Sequence, residues 1–254
     1  MLVGLLTLAS LTGAITAPPA PQRYRIEVKA QQEVDATAVG GGKQSTDLGI
    51  IGFITVTMSD TTGGQLAHIV VDSLTFPAGM EPPMGITDGP ETAKGIYFHG
   101  YILDGKVKGG LKPSTPHQLV ALLAGGVEGL FPGLRATAKV GDNWTDTVKT
   151  DNTTEGTTQT STTIIAWKAT PGAGGMLRYE GTSTGTMMRE GPGPNGKQTI
   201  NAKISGTRWV HGPALGPILH GEMKSLQDVL VVIEGMTDAI PVTANTTVTI
   251  SILP

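Results

Sequence analysis

The feature that most constrains the fold is a strict alternation of apolar and polar residues near the C-terminus. Between Ile240 and Leu253, one set of alternate positions is apolar and the other is polar. The apolar set is Val242, Ala244, Val248, Ile250 and Ile252, and the polar set is Thr243, Asn245, Thr247, Thr249 and Ser251. Successive side chains of a strand point to opposite faces of a sheet, so this period of two predicts a strand. We expect it to pair deep in a sheet.

Related patterns recur along most of the chain and predict further strands. Turns rich in glycine and proline separate them, as in an antiparallel meander. The predicted strands are residues 24–30, 50–59, 65–76, 95–103, 106–111, 144–150, 158–169, 176–188, 198–209, 218–233 and 240–253. Asp104 and Gly105 form a dipeptide that is typical of a type I′ hairpin turn.

One helix is predicted between these strands. Ser114 and Thr115 can cap it, and Pro116 suits its first position. Three leucines follow at helical spacing: Leu119, Leu122 and Leu123. We expect the helix to fade at Gly125 and Gly126, because glycine disfavours a helix interior.

These elements predict a mainly β protein: a curved antiparallel sheet or partial, unclosed β-barrel with one central helix. An all-β chain of this length often forms one domain, so we expect a single β domain over residues 23–254. A membrane-spanning barrel is disfavoured, because such barrels carry aromatic girdles and this chain has only 3 Trp, 4 Tyr and 4 Phe.

An uncharged, mostly apolar stretch occupies residues 2–17, ahead of Pro18, Pro19 and Pro21. It is typical of a signal-peptide core, with cleavage preferred after Ala14. If it is retained, it falls short of the roughly 20 residues that span a bilayer, and residues 1–22 then act as an N-terminal anchor with a Pro-rich linker. We expect an exported protein in the periplasm or on the outer face of a membrane.

Charge and cysteine content exclude several classes of function. The formal net charge is -3 and the basic residues are scattered, so we expect no nucleic-acid partner. The chain has no cysteine, which excludes disulfides, thiolate metal sites and cysteine nucleophiles.

Two sequence motifs resemble catalytic loops and fail on context. Residues 181–185 match G-x-S-x-G, but Ser183 lies within a predicted strand and no helix follows, whereas a nucleophile elbow needs a strand-to-helix turn. Residues 191–198 approach a phosphate loop, but Gln198 replaces the Ser or Thr that would hold Mg²⁺, and Asn195 with Gly196 is typical of a hairpin turn.

The histidines are far apart in sequence, and only the fold could gather them into a metal or acid-base site. They are His68, His99, His117, His211 and His220. None lies in H-E-x-x-H or H-x-H spacing, so we predict no catalytic residue, no metal site and no cofactor. The chain is predicted not to be an enzyme.

The apolar side chains that could line a ligand cavity are the tryptophans and the helix leucines. These are Trp144, Trp167, Trp209, Leu119, Leu122 and Leu123. The tryptophans have an alternative role as ordinary anchors of the core, since large aromatic rings bury much apolar surface.

The order of the elements and the V-G-D-N-W sequence at Val140–Trp144 resemble a group of poorly characterised exported bacterial β proteins. The overall plan also resembles the unclosed β-barrels of lipoprotein-carrier proteins, in which a curved sheet holds acyl chains under a helical lid. This resemblance implies a concave sheet with the leucine helix as its lid.

Two hypotheses of function follow. The first is a noncatalytic structural or accessory protein of the bacterial cell envelope, an extrinsic subunit of a membrane complex held through residues 2–17. The second is a periplasmic carrier or binder of a lipophilic ligand in a concave β-sheet.

Overall fold

The computed structural model describes residues 20–80, 86–154, 156–193 and 196–254. The apolar stretch at 2–17 and the predicted turn residue Asn195 lie outside the described residues. The described chain forms one 11-stranded sheet whose neighbouring strands are all antiparallel, with a single α-helix. The predicted fold class, a curved, unclosed antiparallel sheet with one central helix, is confirmed.

The strands follow the predicted order along the chain. They are β1 (Gln22–Asp35), β2 (Lys43–Thr61), β3 (Gly64–Thr75), β4 (Tyr97–Leu103), β5 (Lys106–Pro113), β6 (Asn143–Thr154), β7 (Thr157–Pro171), β8 (Leu177–Gly193), β9 (Gly196–His211), β10 (His220–Ile233) and β11 (Ile240–Ile252). Their order across the sheet is β5-β4-β3-β2-β1-β11-β10-β9-β8-β7-β6. The last strand, β11, therefore lies at the centre, as its alternation predicted, and β5 and β6 are the two edges.

The turn between β4 and β5 also has the predicted geometry. Asp104 and Gly105 have φ angles of 52° and 70°. A type I′ turn needs positive φ at both central residues, which explains the Asp-Gly dipeptide at this position.

The helix α1 (Gln118–Glu128) differs from its prediction at both ends. His117 is the N-cap, and its side chain accepts a hydrogen bond from the Val120 backbone nitrogen, so the predicted caps Ser114 and Thr115 are wrong. The helix also continues through Gly125 and Gly126. A Cβ at Gly126 would lie 2.6 Å from Ile26 Cγ2, so glycine is kept here by the close approach of helix and sheet, which outweighs its low helix propensity.

The helix covers one face of the sheet, which we call the helix face; the opposite face is the open face. Residues 24, 26 and 28 of β1 and residues 250, 248 and 246 of β11 point to the helix face, and the alternate residues point to the open face. The core lies between α1 and the helix face. Its fully buried members include Tyr24, Ile26, Ile54, Leu119 and Leu123. This arrangement buries the apolar stripe of the helix against the apolar side of the sheet.

The sheet continues well beyond the helix. We call residues 31–47, 147–164, 184–205 and 226–245 the extension; it contains the hairpin ends of β1–β2, β6–β7, β8–β9 and β10–β11. Among the described residues of the extension, only Ala202 and Ile233 are buried apolar residues, and neither belongs to the core cluster. The extension is therefore a single layer of sheet, while the rest of the sheet, the covered half, packs on α1 and on the segment that follows it, which contributes Leu130, Phe131 and Leu134 to the core.

Candidate binding surface

Of the six residues predicted to line a cavity, the three tryptophans border one recess on the sheet, and the three helix leucines line none of the recesses described below. Leu119, Leu123, Trp144 and Trp167 lie in the core cluster and are at most 8% exposed. Leu122 is 38% exposed, on the side of α1 away from the core. Trp209 points to the open face. The helix side of the covered half is thus filled by side chains of the protein itself.

The two core tryptophans belong to a stack of four side chains. The rings of Trp144 and Trp167 are 6.2 Å apart between centroids and nearly parallel. The Arg135 Cζ lies 5.3 Å from the Trp144 ring centroid, and the Arg208 Cζ lies 5.7 Å from that of Trp167. Gly181 permits the last contact, because a Cβ there would be 3.0 Å from both Arg208 Cγ and Trp167 Cε3. The stack holds the start of β6, at Trp144, against the side chains of β7 and β9.

The burial of Arg208 in this stack is energetically unfavourable for its polar groups. Its Nε and the Trp167 Nε1 are buried and have no hydrogen-bond acceptor within the described ranges. Burial lowers the pKa of the Arg208 guanidinium, since desolvation disfavours its charge.

The open face carries a recess of about 610 Å³ around Trp209. The Arg178 Cζ lies 4.3 Å from the Trp209 ring centroid, and the Arg178 Nε donates to Glu180 Oε1 at 3.2 Å. Lys168 and Glu222 border the same recess from β7 and β10. Opposite charges therefore alternate around a half-buried ring.

A second recess of about 650 Å³ lies on the extension, on the same face. Its apolar side chains include Met188 and Leu230, which are 43% and 50% exposed. Hydroxyl, amide and charged groups surround them; they are Thr160, Thr162, Thr186, Thr243, Asn201, Lys203 and Asp228. Two large apolar side chains thus lie exposed within a polar rim.

Three recesses follow one another along the open face of β7–β11. A middle recess of about 480 Å³ shares Thr182 and Thr207 with the Trp209 recess. On β8 and β9, Thr184 and Ser205 of the middle recess each lie two residues from Thr186 and Lys203 of the second recess. We call this row of recesses the furrow; it runs from Trp209 to Pro241. It is the main concave surface described on the open face and is our candidate site.

The furrow can hydrogen-bond a partner through its hydroxyl, amide and charged side chains. The G-x-S-x-G motif lies inside β8, and Ser183 is 5% exposed and points to the helix face. In the described part of the chain, no three His, Asp or Glu side chains are grouped as a metal site.

The fold gathers four of the five histidines into two pairs. His68 faces His99 across β3 and β4, and His211 faces His220 across β9 and β10. The fifth, His117, caps α1 as described above. His68 and His99 are distant in sequence and become cross-strand partners only through strand pairing, which sequence spacing alone does not reveal.

The furrow itself was missed at the sequence level. Its lining alternates with the apolar helix-face residues of the same strands, so the open-face positions read as an ordinary solvated surface. A signal for it in the sequence was the presence of apolar residues such as Met188 and Leu230 at polar-face positions of their strands.

No α-helix in the described residues is long and apolar enough to cross a bilayer. No protein-family model matches the chain, and the search of curated proteins found no match either.

Proposed function

We propose that this chain is a noncatalytic binding or accessory protein of the bacterial cell envelope, which holds a partner along the furrow. The observation that carries the proposal is the difference between the two faces of the sheet. The helix face of the covered half is filled by α1 and by core residues of the segment that follows it, whereas no described element covers the furrow. A surface of this kind is expected to be covered by something else.

The lining of the furrow favours a partner without strong net charge. Four basic residues on the open face are interspersed with three acidic ones; they are Lys168, Arg178, Lys203 and Lys224, and Glu180, Glu222 and Asp228. Hydroxyls fill most of the remaining positions. Such a lining offers hydrogen bonds without a single-sign electric field, which is also why nucleic acid is an unsuitable partner.

Exposed apolar side chains supply the anchor that such a partner needs. Ile164, Met188, Leu230 and Val232 all point to the open face of the extension and are 40–50% exposed. Isolated exposed apolar residues are common, but Met188 and Leu230 border the same recess and form the apolar patch of the furrow. A macromolecular partner could bury this patch, with the polar rim providing specificity.

The cellular setting of the proposal comes from the sequence. The apolar stretch at residues 2–17 is expected to direct export or to hold the protein at a membrane. The proposed partner is therefore a membrane protein complex on the outer side of a membrane.

Site-specific photocrosslinking in a native host tests this proposal. A photoreactive amino acid replaces Ser205, in the middle of the furrow, or Leu66, which is 49% exposed on the open face of β3 outside the furrow. We expect one defined crosslinked partner from position 205 and none from position 66. The change Leu230→Lys should abolish the crosslink. Equal labelling from both positions would contradict the proposal.

A second candidate function is the binding of a lipophilic ligand. The observation in its favour is the recess at Met188 and Leu230, whose volume of about 650 Å³ lies within the range of small-molecule sites. The ligand would then lie on the open face of the extension, away from the side chains of α1.

Native mass spectrometry of the purified protein distinguishes this candidate from the first. A bound small molecule that is lost in Leu230→Asp but kept in Leu66→Asp would support it. Protein of bare polypeptide mass in every preparation would exclude it.

A further inference from the structure

The two edges of the sheet are protected to different degrees. The edge strand β5 is interrupted by a register shift between His99 and Tyr101 of its neighbour, and Gly109 and Gly110 have φ angles of 73° and 76°. It is also covered: Leu111 N donates to Glu128 Oε1 of α1 at 3.1 Å. Bulges and covering elements prevent a sheet edge from pairing with another strand.

The other edge strand, β6, has none of these features along most of its length. It pairs with β7 without a register shift from Asn143 to Thr154. Near its start, Asp146 approaches Lys106 of β5 at 3.9 Å, but residues 147–153 extend beyond this contact and all are exposed. This run contains no proline and no glycine. It presents a regular row of backbone donors and acceptors to an incoming strand.

The sequence of this run is complementary to itself in the antiparallel direction. In a pair of identical antiparallel strands related by a two-fold axis through residue 150, Lys149 of each copy lies opposite Asp151 of the other. Thr147 then faces Thr153, and Thr150 faces its own counterpart. Opposite charges and Thr–Thr pairs are favourable cross-strand neighbours.

Neighbouring registers are less favourable. An axis through residue 149 places Lys149 opposite its own copy, and an axis through residue 151 does the same for Asp151. Like charges directly opposite each other destabilise a strand pair. Within the described residues, neither Lys149 nor Asp151 has an ion-pair partner in its own chain, and their β7 neighbours Thr162 and Thr160 are uncharged.

We infer that β6 pairs with β6 of a second copy, in the register centred on residue 150. The two sheets then continue into one another through the pair. Because a two-fold axis perpendicular to the sheet keeps the same face up, both furrows lie on the same side of the joined sheet. This inference is independent of the partner proposed for the furrow.

Charge reversal tests the register by analytical ultracentrifugation of the purified chain. We expect reversible self-association that weakens about tenfold in Lys149→Asp and in Asp151→Lys, since each change creates two like-charge pairs. The double variant Lys149→Asp/Asp151→Lys should regain self-association. Mixing the two single variants should produce a mixed dimer, in which both pairs are again opposite in charge.

The other edge provides the control. Lys108→Asp makes the same change of charge on the exposed face of β5 and should leave self-association as in the unchanged chain. A chain that stays monomeric at concentrations approaching millimolar would overturn the inference. A dimer that tolerates both single reversals would overturn it equally.

A cysteine crosslink gives a second, direct readout. The chain has no cysteine, so Thr150→Cys introduces a single thiol at the two-fold axis. Paired strands bring such positions within disulfide reach. We expect mild oxidation to yield a covalent dimer of Thr150→Cys and not of Lys108→Cys. Equal crosslinking of both variants would mean random collision and would contradict the proposed pairing.

Discussion

The covered half and the extension use the same strands in different ways. In the covered half, the strands bury one face on α1, and side chains such as Ile26, Ile54 and Leu123 are fully excluded from water. In the extension, the same antiparallel ladders continue with both faces accessible. The comparison shows that strand pairing extends beyond the core, whereas the hydrophobic contribution to stability is concentrated under the helix.

Substitutions in the two regions should also change different properties: the stability of the fold in one and the binding of a partner in the other. Residues under α1 are constrained by close packing, so changes there should affect folding. Residues of the furrow are constrained by few contacts, so changes there should affect a partner and leave folding nearly unchanged. The following predictions test this division.

The largest expected effect comes from the helix. Leu123 is fully buried, and its δ-carbons lie 2.6 and 2.9 Å from the position that a Cβ of Gly52 would occupy. Leu123→Ala should lower the free energy of unfolding by about 2–5 kcal/mol, through lost burial and the cavity left behind. The adjacent Leu122, 38% exposed, is the matched control, and Leu122→Ala should cost less than about 1 kcal/mol. Urea denaturation measures both free energies of unfolding. Equal losses in the two variants would contradict the claim that stability is concentrated in the contact of α1 with the sheet.

A smaller effect is expected at the other side of the same contact. Gly52→Ala inserts a methyl group where Leu123 now packs, so overpacking should cost about 1–3 kcal/mol. In the double variant Gly52→Ala/Leu123→Ala, the added methyl fills part of the cavity, and the total loss should be less than the sum of the single losses. Strict additivity would mean that the two residues do not share this space.

Changes on the open face of the extension should have little effect on stability. Ile164 and Leu230 are 45% and 50% exposed, so Ile164→Thr and Leu230→Ala should each change the free energy of unfolding by no more than about 0.5 kcal/mol. The same urea denaturation experiment measures this. A loss comparable to that of Leu123→Ala would show that the extension has its own packed core.

The smallest effect is a local dependence on pH at the tip of the β1–β2 hairpin. The Thr37 hydroxyl donates to Asp35 Oδ1 at 2.5 Å, Lys43 Nζ lies 3.0 Å from Asp35 Oδ2, and together with the Thr37 backbone they lower the pKa of Asp35 to about 2. A lowered pKa in the folded state means that the stabilisation is fully present above the ordinary value of about 3.9. It should be lost as the pH falls from there through about 2.

An NMR titration of the Asp35 carboxyl group checks this prediction. The unchanged chain should titrate well below the ordinary aspartate range, and Thr37→Val should move the pKa upward by removing the hydroxyl donor. No upward movement in Thr37→Val would show that the hydroxyl does not hold the carboxylate.

Much of the fold could be predicted from the sequence because alternation is a local signal. A short window of residues was enough to predict the strand β11 and the Asp104–Gly105 turn. Strand lengths were less predictable: β1 reaches Asp35, beyond its predicted end at residue 30, because polar residues on both faces of the extension weaken the alternation. Backbone pairing with β2 and β11 continues regardless of that pattern.

The helix ends and the candidate site could not be predicted, since both depend on distant contacts. Gly126 stays helical because Ile26 lies against it, and His117 caps α1 in place of the expected Ser or Thr. Trp209 resembled the two core tryptophans in sequence, yet its register opposite Glu180 and Glu222 places it on the open face. The furrow arises only when five strands are side by side.

Amide hydrogen exchange tests the central claim, the division of one sheet into a packed half and an uncovered extension. Exchange rates report the free energy of local opening, segment by segment. We predict that amides of residues 52–56 exchange only with global unfolding, whereas those of residues 158–163 exchange through local opening at much lower free energy. Equal protection of the two segments in the monomeric chain would contradict the account.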